Sequence, residues 1–122
     1  MKAPFLAVFD KSNILFIPSL EDIASKIEPQ DLNSVEIYDS TARKVHCEIK
    51  ECVKTKKKFR FIKTEYKFEY VIATGYDSNG GFVSISDLEA IVRDKLKFTF
   101  PKKDVTSMSL LEMINFGIDH YP

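Results

Sequence analysis

Two kinds of hydrophobic spacing divide the chain, and their order limits the possible folds more than any other feature. Up to about residue 76 the apolar residues form short runs or occupy alternate positions, as they do in β-strands. Beyond residue 86 they recur at helical spacing, in two segments that begin with a capping-box pattern, Ser86–Glu89 and Ser109–Glu112. A run of strands followed by helices is typical of an α+β domain, with helices packed on one face of an antiparallel sheet.

Short polar and proline-containing segments predict where the elements begin and end. Four polar residues between the first two apolar runs predict a β-hairpin, and Pro18 ends its second strand. Ser19 is the predicted N-cap of a short helix that ends before Pro29. We expect the charged segment Lys54–Lys58 to be a turn and Gly117 to be a helix C-cap. The predicted strands are 5–9, 14–17, 35–38, 44–53 and 59–76, the last being two strands or one strand bent near residues 63–65.

The length of 122 residues fits one domain, so we expect a single α+β domain over residues 1–122. It should contain a mainly antiparallel sheet of about five or six strands with two or three helices packed on it. The longest apolar run, Phe5–Phe9, is much shorter than a bilayer span of ~20 residues and too short for a secretion signal. A cytoplasmic protein without a membrane segment is therefore expected. Cys47 and Cys52 are an odd number of positions apart in one strand, so they should face opposite ways and remain thiols.

The charged residues are unevenly distributed, although the whole chain has a formal net charge of zero. Residues 54–70 carry seven basic and two acidic side chains, a balance of +5, together with five aromatic rings. Lysines on phosphates and rings stacked on bases can bind nucleic acid. Phe59 and Phe61 alternate with Lys58 and Arg60, however, so rings and charges are predicted on opposite faces. This favours a solvated strand surface or a protein-docking patch, for which the basic candidates are Lys56, Lys57, Lys58 and Arg60.

No motif in the sequence indicates catalysis, a metal ion or a cofactor. The nucleophile-elbow pattern is absent, and the acidic residues do not have the spacing of a calcium loop. The two histidines are His46, within a predicted strand, and His120, near the end of the chain. We therefore expect a protein that is not an enzyme and uses no cofactor. A small enzyme in which His46 or the acidic residues come together only in the folded chain is a further alternative.

Three motifs within residues 4–50 resemble those of a known family. They are Pro18-Ser19-Leu20-Glu21-Asp22, Glu28-Pro29-Gln30-Asp31 and Tyr38-Asp39-Ser40-Thr41-Ala42-Arg43, in that order, with an apolar strand pair before them and a strand after them. This arrangement is similar to that of small immunity proteins of bacterial polymorphic-toxin and contact-dependent growth inhibition systems. Ala42 stands where such proteins usually have glycine, which predicts a different turn after Asp39.

The resemblance implies a binding function. Such a protein is expected to dock its cognate toxin domain in the cytosol, as a monomer in a 1:1 complex, and to block the active site of what is often a nuclease. A basic nuclease cleft would require an acidic patch, for which the candidate residues are Glu21, Asp22, Glu28, Asp31, Glu36 and Asp39. The alternative partner surfaces are an acidic toxin face for the basic residues, and nucleic acid for segment 54–70.

Overall fold

The computed structural model describes residues 1–10, 13–58, 62–77 and 84–120, and of residues 54–58 and 62–64 it describes the backbone. The elements follow in chain order as β1 (Phe5–Val8), β2 (Ile14–Ile17), α1 (Ile23–Lys26), the 3₁₀ helix η1 (Pro29–Ser34), β3 (Glu36–Asp39), β4 (Lys44–Lys58), β5 (Ile62–Tyr76), α2 (Ile85–Thr99) and α3 (Leu110–His120). The five strands form one sheet in the order β2-β1-β3-β4-β5, and every neighbouring pair is antiparallel. The predicted α+β class with an antiparallel sheet is confirmed. No helix in the described ranges is long and apolar enough to cross a membrane.

Alternation along β1 places apolar side chains on both faces of the sheet, which is why helices cover both. Leu6 belongs to a buried cluster that includes residues of α2 and α3, such as Leu88 and Met113. Its neighbours Phe5 and Ala7 belong to a second cluster with residues of α1. A sheet buried on both faces has no water-facing side in its centre. The expectation that all helices lie on one face was therefore wrong, because it treated the apolar runs as one-sided strands.

The starts of the helices differ from the sequence prediction in two of three cases. Ser109 and Glu112 form the predicted capping box, in which each backbone N–H donates to the side chain of the other, at 3.3 and 3.2 Å. Helix α2, however, begins at Ile85, so Ser84 and not Ser86 precedes it. Helix α1 begins at Ile23 after a turn, since Ser19 donates its hydroxyl to the Asp22 carboxylate (2.7 Å) and Asp22 is the N-cap residue.

Gly117 lies inside α3 and not at its C-cap. A Cβ atom added at this glycine would come within 2.6 Å of the Phe16 ring of β2, a distance that atoms in contact do not reach. The helix therefore approaches the sheet closely at a point where only hydrogen fits. Gly117 is therefore needed for the packing of α3 against the sheet and does not end the helix.

The longest strands extend beyond the rest of the sheet as a two-stranded arm. Strand β3 pairs with β4 only at Val45 and Lys44, whereas β4 and β5 pair with each other as far as Lys58 and Ile62. We call residues 47–58 and 62–73 the arm. Lys54–Lys58, which the sequence analysis predicted to be a turn, belongs to strand β4. The single irregularity in the pairing occurs at the base of the arm, between His46 and Cys47; Phe59 and Phe61 lie outside the described residues.

Candidate interaction surface

One face of the arm carries a row of aromatic residues, two of them exposed and one partly buried. Tyr66, Phe68 and Tyr70 alternate along β5, and the Phe68 and Tyr70 rings lie 6.0 Å apart. Tyr66 is 46% exposed and Phe68 is 39% exposed. Register places the Lys50 position opposite Tyr70 and the Lys54 position opposite Tyr66. We call this the aromatic face of the arm.

This register changes the argument against nucleic acid binding. Along a single strand, neighbouring residues face opposite ways, and the prediction of rings and charges on opposite faces depends on such neighbours alone. Antiparallel pairing adds neighbours from the other strand, and directly opposite residues share a face. Lys50 and Tyr70 are therefore on the same face although they are distant in sequence. Lysine positions and aromatic rings lie side by side across the arm.

The other face of the arm forms one wall of an open groove against η1. The groove has a volume of about 730 Å³, and its walls include Ile49, Glu51, Lys67 and Glu69 of the arm and Pro29 and Gln30 of η1. Ile49 is 44% exposed and the nearby Val53 is 51% exposed, so apolar surface is accessible beside the charges. We call this feature the arm groove.

Two acidic residues of the arm groove lie directly opposite each other. Glu51 of β4 is in register with Glu69 of β5, and directly opposite side chains in an antiparallel pair have Cβ atoms ~5 Å apart. Lys67 Nζ is 3.6 Å from a Glu51 carboxylate oxygen, and both side chains are largely exposed. Like charges in opposite positions destabilise a strand pair, so a cation bound between them would relieve repulsion. No local sequence pattern marks Ile49, Glu51 and Glu69, because only the strand register brings them to η1.

Four of the predicted acidic residues lie in or before the short helices that cover this side of the sheet. Glu28 and Asp31 flank Pro29 and Gln30 of the arm groove in sequence, so they lie beside its η1 wall. Glu28 is exposed and Asp31 is partly buried. Glu21 is exposed and Asp22 is partly buried, both ahead of α1.

Glu36 is exposed at the start of β3 and has two partners of its own. It accepts a hydrogen bond from the Tyr38 hydroxyl at 2.5 Å, and Lys44 Nζ is 4.0 Å away. Burial, together with this hydrogen bond and the nearby carboxylate, raises the pKa of Tyr38. Both contacts are within the sheet, so Glu36 has a structural role whether or not a partner also binds it.

Asp39, in contrast, is fully buried and does not contribute to an acidic surface. Its Oδ1 atom accepts hydrogen bonds from the Thr41 N–H (2.9 Å), the Thr41 hydroxyl (2.6 Å) and the Arg43 N–H (3.1 Å). Burial raises the pKa of Asp39, but these hydrogen bonds and one from Tyr76 outweigh it and hold the pKa below its usual value. The prediction of Asp39 as a partner-binding residue was wrong, since the carboxylate organises the turn after β3.

That turn contains a residue with left-handed backbone geometry. Ala42 has a φ of 68° and is buried, and its N–H donates to the Asp39 carbonyl at 3.0 Å. Glycine occupies this region without strain, whereas alanine does so at a cost of ~1–2 kcal/mol. The turn thus has a conformation suited to the glycine of the resembled family, despite the alanine.

The four basic candidates cannot be placed as side chains. Lys56, Lys57 and Lys58 are strand positions of the arm whose side chains lie outside the description, and Arg60 lies outside the described residues altogether. Register places positions 56 and 58 on the aromatic face, opposite positions 64 and 62, and Lys57 on the groove face, opposite Lys63.

The residues with the greatest chemical reactivity do not gather at one place. In the described ranges no group of three or more His, Cys, Asp and Glu residues is arranged to hold a metal ion. His46 is exposed beside Glu48 (3.4 Å), and His120 stacks on Phe116 with ring centroids 4.2 Å apart. Burial raises the pKa of the Cys47 thiol to about 11, which makes it a poor nucleophile.

Compared with known proteins, the chain matches no family model, no curated protein and no solved structure. The likeness to immunity proteins therefore rests on its sequence motifs. The arm groove and the aromatic face of the arm are two of the surfaces that the described residues offer for binding.

Proposed function

We propose that this chain is an immunity protein that binds a bacterial toxin domain in the cytosol and blocks its active site, acting by binding and not by catalysis. The observation that carries the proposal is the arm groove, which combines accessible apolar surface at Ile49 with the opposed carboxylates of Glu51 and Glu69. Interfaces obtain affinity from apolar anchors and obtain partner selectivity and fast association from charge. A groove with both features suits a protruding basic segment of a partner.

The charge of the groove favours a nuclease as the target. Nuclease clefts that hold phosphates are basic, and a lysine or arginine inserted between Glu51 and Glu69 would be attracted by two carboxylates. In the free protein Glu51 already lies 3.6 Å from Lys67 Nζ, so a cation of the partner would add a second attraction to the pair of carboxylates. Glu28 and Asp31, beside the η1 wall, extend the negative potential. We expect one toxin domain to bind each chain, since each chain has one such groove within its described residues.

The test is complex formation with the toxin-like domain encoded by the reading frame immediately upstream of this gene. Wild-type protein should co-purify with that domain and protect cells that express it. Glu51→Lys and Glu69→Lys should each weaken binding at least about tenfold, which corresponds to 1.4 kcal/mol. Asp94→Lys is the matched control, because it makes the same charge change at an exposed position of α2. The absence of a complex with wild-type protein, or equal weakening by the control, would overturn the proposal.

A second candidate function, binding of single-stranded nucleic acid, is favoured by the aromatic face of the arm. Rings that stack on bases beside lysines that contact phosphates are the usual elements of such a surface. Lys50, Tyr66 and Phe68 are described side chains of this face. Here the arm would bind nucleic acid itself, and the groove would have no part in the function.

Fluorescence anisotropy with a single-stranded oligonucleotide distinguishes this candidate. Binding should weaken steeply with added salt and should fall in Tyr66→Ala and Phe68→Ala. Phe98→Ala is the control, since Phe98 is an 87% exposed aromatic residue of α2, away from the arm. Absence of binding at low salt, or equal loss in the control, would exclude the candidate.

A further inference from the structure

The outer edge of β5 is a long strand edge that no strand of the described chain covers. Strand β5 is the last strand of the sheet and runs from Ile62 to Tyr76. Proteins usually limit such edges with short strands, proline, bulges or charged side chains, because an open edge pairs readily with another strand. Of these devices, the arm part of β5 has charged side chains alone, and their signs alternate. Strand β5 is long, contains no proline, and is irregular only at its base, opposite His46 and Cys47. Among the described strands, none pairs with the part of this edge that lies within the arm.

We propose that this edge pairs with the same edge of a second copy of the chain, to give an antiparallel dimer with Tyr66 on the twofold axis. Strand β5 carries charges of alternating sign at Lys63, Glu65, Lys67 and Glu69. With Tyr66 opposite Tyr66, each lysine lies opposite a glutamate of the second copy: Lys67 opposite Glu65, and Lys63 opposite Glu69. All four positions are on the groove face, and the two sheets join into one.

The same pattern excludes the neighbouring registers. If the second copy is moved so that Glu65 faces Glu65, Lys63 faces Lys67. If it is moved so that Lys67 faces Lys67, Glu65 faces Glu69. In both registers every charged pair is of like sign, and directly opposite like charges destabilise strand pairing. A pairing register is well defined when the registers next to it are destabilised in this way.

Like-charged pairs within each arm support the same arrangement. Glu69 lies opposite Glu51 of its own chain, and the Lys63 position lies opposite the Lys57 position. In the proposed dimer these pairs become one row across four strands, with the two glutamates of one copy beside the two lysines of the other. The dimer would thus place each pair of like-signed positions next to a pair of the opposite sign. This goes beyond the proposed function and departs from the expected monomer.

The aromatic face would also become continuous across the dimer. Tyr66, 46% exposed in the single chain, would lie opposite its own copy. Cross-strand aromatic pairs stabilise sheets, and tyrosine rings can pack while their hydroxyls remain in water. The axis of the dimer thus has a charge-paired row on one face and an aromatic row on the other.

A charge-swap series tests the pairing with light scattering after size-exclusion chromatography. The wild type should have twice the 14.0 kDa mass of one chain. Glu65→Lys and Lys67→Glu should each be monomeric, because each creates two like-charged pairs across the axis. The combined variant, Glu65→Lys with Lys67→Glu, should dimerise again, since the pairs are restored with signs exchanged. Circular dichroism establishes that all four proteins are folded.

A cysteine cross-link tests the register. In a chain with Cys47→Ala and Cys52→Ser, the Tyr66→Cys variant should oxidise to a chain of double mass, because the two cysteines face each other on the axis. The Phe68→Cys variant is the control, since its two copies would be four positions apart along the strands, about 13 Å. A wild-type monomer at the highest soluble concentration would overturn the proposal. So would a dimer that survives both single charge changes, a combined variant that stays monomeric, or equal cross-linking at positions 66 and 68.

Discussion

The Tyr76 hydroxyl donates a hydrogen bond to Oδ2 of Asp39, with 2.5 Å between the oxygens, and so joins the end of β3 to the end of β5 across β4. The Arg43 guanidinium lies 3.7 Å from the centroid of the Tyr76 ring on the same side of the turn. The hydrogen bond and the nearby negative charge raise the pKa of Tyr76, so its hydroxyl stays a donor. This contact fixes the base of the arm to the body of the sheet.

Asp39→Asn should lower the free energy of unfolding at neutral pH by about 1–3 kcal/mol, the cost of leaving a buried polar network unsatisfied. The Lys2 N–H and the Tyr76 hydroxyl both donate to Oδ2 of Asp39, and an amide nitrogen at that position cannot accept either bond. Urea denaturation followed by circular dichroism measures the change. Asp94→Asn, an exposed change on α2, is the control and should alter stability little.

The pH dependence of stability should change in the same variant. Because the pKa of Asp39 in the folded chain lies below its ordinary value of 3.8, the ionised carboxylate stabilises the fold above that value. This contribution is lost as the pH falls through the folded pKa. Wild-type stability should therefore drop more steeply below pH 3.8 than that of Asp39→Asn. Parallel curves for the two proteins would contradict the assignment.

Gly117→Ala should destabilise the protein although alanine favours helices. The added methyl group would meet the Phe16 ring at 2.6 Å, so the ring or the helix must move. Overpacking of this kind costs ~1–3 kcal/mol, against a helix-propensity gain of ~1 kcal/mol. Thermal unfolding of Gly117→Ala measures the net loss, and Phe16→Leu combined with Gly117→Ala should recover part of it. A stabilised single variant would mean that the helix does not approach the sheet as closely as described.

Leu88→Ala should lower the free energy of unfolding by ~2–4 kcal/mol, and Ile91→Ala by less. Leu88 is fully buried between the sheet and α3, whereas Ile91 is only partly buried on the same helix. The cost of truncation increases with the cavity that it leaves, and a partly exposed site leaves a smaller one. Denaturant titration of both variants gives the comparison. Equal losses would show that α2 is rotated relative to this description.

Cys52 should react with a thiol reagent before Cys47. Both are free thiols, and they occupy positions of opposite parity in β4. Burial raises the pKa of Cys47 to about 11, so little thiolate forms at pH 8, while Cys52 lies on the aromatic face of the arm opposite Phe68. Mass spectrometry after brief labelling identifies the modified residue. Equal labelling in the folded protein, or faster labelling of Cys47, would contradict this prediction.

Sequence patterns predicted the elements that contact the core and failed where the chain leaves it. The α+β class, the first hairpin and the Ser109 capping box follow from local spacing and were confirmed. Lys54–Lys58 was predicted to be a turn because it lacks apolar alternation, but a strand that extends past the core needs none. Backbone pairing with β5 is enough to keep it extended.

The candidate surfaces were the least predictable feature for a related reason. Glu51 and Glu69 are distant in sequence, and only the register of β4 with β5 makes them neighbours. The local sequence around Asp39 is typical of an exposed turn, whereas Asp39 is buried and accepts a hydrogen bond from Tyr76, far along the chain. Both outcomes depend on long-range pairing, which local propensity does not specify.

The residues that stabilise the fold are largely separate from the residues of the outer arm, which are the ones that a partner can contact. Strand β3 pairs only with the first two residues of β4, Lys44 and Val45. The part of the β4–β5 hairpin beyond Val53 and Lys67 can therefore gain or lose cross-strand pairs without altering either buried cluster. The body of the domain determines whether the protein folds, and the length and sequence of the arm determine how far it extends and what it meets. Mutation can therefore change the outer arm at little cost to folding.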